Sequence, residues 1–414
     1  MISFGGDKKR RIMTALLTAC ALATASVGCG STVSGEAQQA TPPKTTLDVG
    51  NYPSAPRTVG NAKSDKQARA RESQRLGDYV ILPFEADPAY ISVSGFFPTP
   101  IVLNRKGLGG MVINDTFDEV AKDLSAGWVN SWSTVDNALN KGRRANIAVL
   151  MFPDAATAKV VGPTLEHDDF TYNRDNQPVE IAKYPGTTAH WRPGISSIGS
   201  WTVHDRYVVF IKIEDESQPA DLPSLTGHVE RLLELQLPLL DKFTPTPNAD
   251  LPNIALDVDG LLGRTLPSSP ENPPRAQPDG LFTGRGYMSL MVNAGPEALA
   301  RLDEFEIDLV SFGEAVVIRS RTPEASKRLF ADRAKRAEAL ATANRVFRPL
   351  SSPPGLGENV ACYTFIAIID GKEVNASASV CGFQHDRYYV EVESAQVQDA
   401  YQQLNAQYAM LTGK

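Results

Sequence analysis

The chain has 414 residues, of which 42% are hydrophobic and 21% charged, and its formal net charge is −7. Such a length and composition describe a folded protein with room for two cores. The acidic balance excludes a reader of nucleic acid, whose phosphates demand a basic footprint.

The N-terminus opens with Lys8, Lys9, Arg10 and Arg11, then the apolar stretch IMTALLTACALATASVG. A positive cluster before a short apolar run is a secretory signal, assigned here to residues 1–28. Removing it would subtract three net positive charges and leave the mature chain more acidic still. Its end resembles a bacterial lipobox: Cys29 follows Gly28 and Val27, while Ser26 departs from the pattern. Cys20, at the end of LTAC, matches the lipobox better locally. Cutting there would leave a short apolar core and an apolar mature start, so Cys29 is taken as the acylated residue. Two or three acyl chains on one cysteine hold a protein stably at a membrane. Downstream no run of 18 apolar residues occurs, so no internal membrane span is expected.

Residues 29–58 are rich in Ser, Thr, Ala, Gln and Pro and read as a flexible tether. A charged stretch, AKSDKQARARESQR, then leads as a helix into a first domain, residues 59–243. Residues 244–279, dense in Pro, Asn and Ser, read as a connector, and residues 280–414 as a second domain.

The two domains look like copies. AVLMFPDAATAKVV matches VVIRSRTPEASKRLF, and HDRYVVFIKI from His204 matches HDRYYVEVES from His385. Pro153 and Pro323 lie 170 residues apart and the HDRY blocks 181 apart, in the same order, which indicates tandem duplication. In the second copy Thr322 can cap a helix that begins at Pro323, with Glu324 at its positive end. After each HDRY block apolar residues alternate: Tyr207, Val209, Ile211 and Ile213, then Tyr388, Val390 and Val392. A closing helix follows each strand. In the second copy Val397, Tyr401, Leu404, Tyr408 and Leu411 form its apolar stripe. The expected fold is α+β: two related domains, each an antiparallel sheet with helices packed on one face. HDRY is then the turn entering a strand, a mark of the fold rather than of catalysis.

Cys362 and Cys381 bracket two alternating segments around Asp370-Gly371-Lys372. A turn centred on Gly371-Lys372 sets the cysteines face to face, whereas one on Asp370-Gly371 makes them diagonal neighbours. Either register lets them bridge in an oxidising compartment.

No nucleophile elbow, phosphate loop or zinc motif occurs, and the lone G-x-G of TGRGYM is too short for a dinucleotide site. Neither a cofactor nor a metal is expected. Glu166, His167, Asp168 and Asp169 in LEHDDF read as a solvated loop, because adjacent ligands do not wrap an ion. Trp128 and Trp132, four apart, read as one helix face. His190, Trp191, Trp201 and His204 surround one hairpin and form the candidate ligand-binding group.

The tether, LDVGNYPSAPR, YVILPFEADP and the paired HDRY strands together resemble a family of uncharacterised actinobacterial lipoproteins, found in mycobacteria, nocardiae and rhodococci, with a tandem domain of unknown function. The resemblance spans the mature chain. It implies an envelope location and lipidation at Cys29, and it carries over no catalytic residue. A looser likeness is to mycobacterial extracellular sensor domains and small ligand-binding envelope lipoproteins.

The leading expectation is an exported protein anchored by lipid to the outer face of the cell membrane. It would bind an envelope lipid, glycolipid or other small ligand without catalysis. A scaffold for an envelope protein partner is the alternative, and an unrecognised hydrolase the third reading.

Overall fold

The computed structural model describes residues 46–93, 99–112, 115–135, 141–268, 279–291, 295–339, 345–357, 359–369 and 372–413. The signal, Cys20, Cys29 and the first part of the tether lie outside these residues. The first half begins with α1 (Asp65–Leu76), α2 (Pro83–Ala86), β1 (Ser92–Val93) and α3 (Phe117–Val120). A hairpin of β2 (Ala126–Ser133) and β3 (Arg143–Met151) leads to α4 (Ala155–Thr171). The meander β4 (Gln177–Glu180), β5 (Thr187–Trp191), β6 (Ser197–His204) and β7 (Tyr207–Asp215) ends in α5 (Leu222–Leu240).

The second half repeats this plan. It runs β8 (Gly280–Phe282), α6 (Gly284–Met288), α7 (Ala298–Glu304), β9 (Ile307–Phe312), β10 (Ala315–Ser320) and α8 (Pro323–Ala339). Then come β11 (Arg345–Leu350), β12 (Val360–Ile369), β13 (Lys372–His385), β14 (Tyr388–Ser394) and α9 (Val397–Thr412). The two sheets have the orders β1-β2-β3-β7-β6-β5-β4 and β8-β9-β10-β14-β13-β12-β11, antiparallel throughout. Matching strand order in two seven-stranded sheets is duplication at the level of topology, and the α+β class holds.

Helices cover both faces of each sheet, not one. On β7, Tyr207, Val209, Ile211 and Ile213 share a core with Leu225, Val229, Leu232 and Leu233 of α5. Val208 and Phe210 pack on the opposite face with Ala158, Val161 and Leu165 of α4. On β14, Val390 and Val392 meet Ala400 and Leu404 of α9, and Tyr389 faces Phe330 of α8. The sequence carried the signal: YVVFI is apolar at consecutive positions, as a strand buried on both faces must be.

The HDRY blocks are two-residue hairpin turns. His204 pairs with Tyr207 and His385 with Tyr388, leaving Asp and Arg as the loop. Asp205 and Asp386 adopt φ of 49° and 48°, the left-handed region that Asp tolerates better than most residues. In each copy the arginine carbonyl accepts a backbone N–H where the strand before the capped helix ends, Phe152 N–H just after β3 in one and Ser320 N–H, the last residue of β10, in the other, both at 2.9 Å.

These equivalent positions are 168 apart, so the two prolines, 170 apart, do not correspond. In the first copy Asp154 is the cap, accepting from Thr157 N–H at 2.7 Å; in the second it is Thr322, accepting from Ala325 N–H at 3.2 Å. Pro153 precedes the first cap and Pro323 follows the second.

Two other expectations fail. Trp128 and Trp132 lie on β2, not on a helix, and both are fully buried. A spacing of four puts residues on one side of a strand as well as of a helix. LEHDDF is the last part of α4 rather than a solvated loop.

The two halves do not keep separate cores. Thr45–Lys414 make one compact unit. One hydrophobic cluster runs from Leu76, Trp128 and Val209 of the first half to Phe282, Tyr287, Ile318 and Tyr389 of the second. α1 is mostly polar, with Ala68, Ala70 and Leu76 buried beside Glu72, Ser73 and Gln74, as a helix joining two bodies can be. Ser73 Oγ accepts Gly127 N–H of β2 at 3.0 Å, and Arg71 Nη1 donates to Leu281 O of β8 at 2.9 Å. At Gly280 the helix passes so close that a Cβ would overlap Gln74. Arg285 of α6 reaches Glu85 of α2 through Nε and Nη2 at 2.9–3.1 Å.

Residues 46–58, placed in the flexible tether by composition, are instead an ordered arm on α9. Tyr52 Oη donates to Asp399 at 2.8 Å and accepts from Gln403 at 3.0 Å. Asn405 donates to Asp48 O at 2.8 Å, and Leu47, Val49 and Tyr52 cover the second-half core.

The connector is likewise docked over residues 244–268. Buried Glu72 accepts from Thr246 N–H and Oγ1 at 2.8 Å, and Gln407 brackets the chain at Arg264 O and Leu266 N–H. Polar and apolar anchors fasten both segments together: Leu261, Leu262 and Leu266 of the connector are buried in the same second-half core that Leu47, Val49 and Tyr52 cover.

Candidate functional site

The four residues proposed around one hairpin divide between the two faces of the first sheet. His190 and Trp201 lie under α4, where Trp201 Nε1 donates to Asp169 at 3.0 Å and His190 Nε2 stands 3.7 Å from the same carboxylate. Burial pushes the His190 imidazole down and the Asp169 carboxyl up. Phe170 meets the His190 ring edge-on, and Trp201 stacks on Phe210 at 4.2 Å. The group is a polar inclusion within packed core.

Trp191 packs on the opposite, α5 side. His204, also on that side, reaches Asp241 at the end of α5 at 2.6 Å. Its counterpart His385 rests edge-on against Tyr408 of α9, 6.0 Å between centroids. The two HDRY imidazoles therefore serve separate helices.

A cavity of about 800 Å³ opens elsewhere. Its walls come from the end of the arm (Arg57) and the adjoining Val59, α1 (Lys66, Gln67, Ala70, Arg71, Gln74), the loop before β2 (Thr99, Ile101, Leu103, Asn104, Lys106, Gly107) and the connector (Leu256, Leu262, Asp279). The volume falls in the range of small-molecule sites. Val59, Ala70, Ile101, Leu103, Leu256 and Leu262 make an apolar lining, and Ile101 and Leu262 belong to the buried core.

Against it stand four cations and one carboxylate. Arg57 donates to Thr265 O at 2.6 Å and lies 3.7 Å from Asp279. Lys66, Arg71 and Lys106 form no ion pair with any described carboxylate. Burial, reinforced by the nearby Arg75 charge, pushes the Arg71 guanidinium down to about 10. Glu72 and Asp257 act in the opposite direction but do not outweigh the cost of burying the charge.

None of the four cations was singled out from the sequence. The available signal was ARARESQR, whose arginines alternate with alanines on a helix whose one large apolar residue is Leu76. Among the described residues no group of three or more His, Cys, Asp or Glu side chains is placed to hold a metal ion.

Cys362 and Cys381 pair directly across β12 and β13 and are joined in a disulfide. The hairpin closes with Ile369 opposite Lys372, the register of an Asp370-Gly371 turn, which by itself would set Cys362 opposite Ser379. Irregularities between Phe365 and Ile368 shift the pairing back to the cysteines. The turn residues lie outside the described set.

The fold and the cavity define a duplicated α+β protein whose halves share one core, with a cavity walled by the arm, α1, the loop before β2 and the connector. Two family models match it in tandem: the N-terminal domain of unknown function DUF7373 over residues 59–256 and its C-terminal counterpart over 261–414. The chain belongs to the DUF7373 family. No curated protein and no solved structure matches it.

Proposed function

We propose that this chain is an exported lipoprotein, anchored through Cys29 to the outer face of the cell membrane, that binds an envelope amphiphile without catalysis. The observation that carries the reading is the 800 Å³ cavity with its apolar lining. The secretory signal, the lipobox-like SVGC and the disulfide Cys362–Cys381 support export, since paired cysteines persist in oxidising compartments. Three of the four walls belong to segments held by long-range polar bonds, which gives the cavity a fixed shape before any ligand arrives.

Native mass spectrometry of protein extracted from its own membrane tests the binding, with an adduct in the lipid mass range as the expected result. Acyl labelling that disappears in Cys29→Ser tests the anchor. A protein without adducts that also fails to take up a fluorescent fatty-acyl probe would rule the binding reading out.

A further inference from the structure

We infer that the cavity selects an amphiphile whose headgroup is an anion of the phosphate class, held by Arg57 and Arg71 with Lys66 and Lys106 at the mouth. This rests on the reading of the cavity as an amphiphile site and names what it would recognise. The cations converge from three separate segments: the arm gives Arg57, α1 gives Lys66 and Arg71, and the loop before β2 gives Lys106. Asp279, paired with Arg57, is the one carboxylate in the lining, which therefore carries three net positive charges on a chain whose net charge is −7; behind it Asp257 acts on both arginines and Glu72 on Arg71.

A surface acidic overall disfavours anions elsewhere, and a concave wall of low dielectric focuses the local positive field. Donors on several walls suit a tetrahedral oxyanion, which presents acceptor oxygens in several directions. A carboxylate offers acceptors in one plane only. Guanidinium groups are the side chains best matched to phosphate oxygens. Arg71 has one Nη committed to Leu281 O, and its partial burial excludes the water that would weaken a charged contact. Beside it Ile101, Leu103, Leu256 and Leu262 provide the apolar surface an acyl or prenyl chain needs.

Isothermal titration of the full chain carrying Cys29→Ser compares three probes: dihexanoyl phosphatidic acid, dihexanoylglycerol and inorganic phosphate. The phosphatidic probe is expected to bind at least about ten-fold more tightly than the neutral diglyceride, since charged hydrogen bonds are the strong ones. That margin should shrink as salt rises. Arg71→Gln should weaken the phosphatidic probe by about ten-fold and leave the diglyceride unchanged. The doubly substituted Lys66→Gln/Lys106→Gln protein alters only exposed residues, so its fold is secure, and it should lose about two- to five-fold for the same probe.

Equal affinity for the phosphatidic and neutral probes, insensitive to these variants, would overturn the headgroup assignment and leave the amphiphile reading standing. Inorganic phosphate binding as tightly as the phosphatidic probe would uphold the anion site and overturn the amphiphile. Failure of all three probes would remove both.

Discussion

Replacing Phe282 by Ala tests whether the two halves unfold as one. Phe282 belongs to the second half yet is 1% exposed, with its ring 6.2 Å from Trp128 of the first half and 5.4 Å from Phe312 of its own. Truncating a buried Phe to Ala costs about 3–5 kcal/mol, through lost transfer energy and the cavity left behind. With a urea slope of about 3 kcal/mol/M, that corresponds to a midpoint about 1 M or more lower. All four tryptophans, Trp128, Trp132, Trp191 and Trp201, lie in the first half, so their fluorescence reports that half alone. Circular dichroism reports both. A continuous core predicts one transition, seen at the same midpoint by both probes and displaced equally by the substitution. If the fluorescence midpoint stayed put while circular dichroism split into two steps, the halves would be separate folding units and the shared core would carry no cooperativity.

Four further outcomes are expected. Replacing both Cys362 and Cys381 by Ser should lower stability by about 3 kcal/mol, the loop-closure value for a bridge spanning ~20 residues, checked by urea unfolding under non-reducing conditions. Asp205→Gly and Asp386→Gly should each leave stability within about 1 kcal/mol and leave ligand uptake intact, because both relieve a left-handed residue in a turn; loss of function without loss of stability would reopen HDRY as a site. Tyr52→Phe removes two hydrogen bonds of the arm, costs about 1–2 kcal/mol, and should raise amide exchange in residues 46–58 before the rest of the molecule.

The fourth concerns pH. His228 is buried, accepts from Arg231 at 2.7 Å, and is held down to about 4 by burial and then by Arg143 and Arg231. As pH falls from about 6.5 toward 4 the unfolded chain takes up a proton that the folded chain refuses, so stability drops through that window. His228→Gln should flatten this part of the profile when urea midpoints at pH 7 and pH 4.5 are compared.

Much of the repeated architecture was legible because it rests on local signals. Alternation set the strands, HDRY marked a tight turn in each copy, and Thr322 with Pro323 announced a helix start. Cys362 and Cys381 pointed to a cross-strand bridge, although the turn that closes their hairpin and the register that joins them come from different alternatives. What stayed hidden depends on partners far along the chain. The arm residues Asp48 and Tyr52 look like spacer until Asn405, Asp399 and Gln403 are brought against them. Gln403, Asn405 and Gln407 look solvated in a helix read for its apolar stripe, yet all three are buried to receive the arm and the connector. The cavity escaped notice for the same reason: its cations sit in three separate segments and meet only when the arm, α1 and the loop before β2 fold together.

The seat of the arm on α9 joins residues 347 and 351 positions apart. The arm must therefore wait, unfastened, until the closing helix has formed. Seating of the arm is thus a late event in folding that waits on the last helix of the chain, while Arg57 at its end is fastened separately to the connector through Thr265 O.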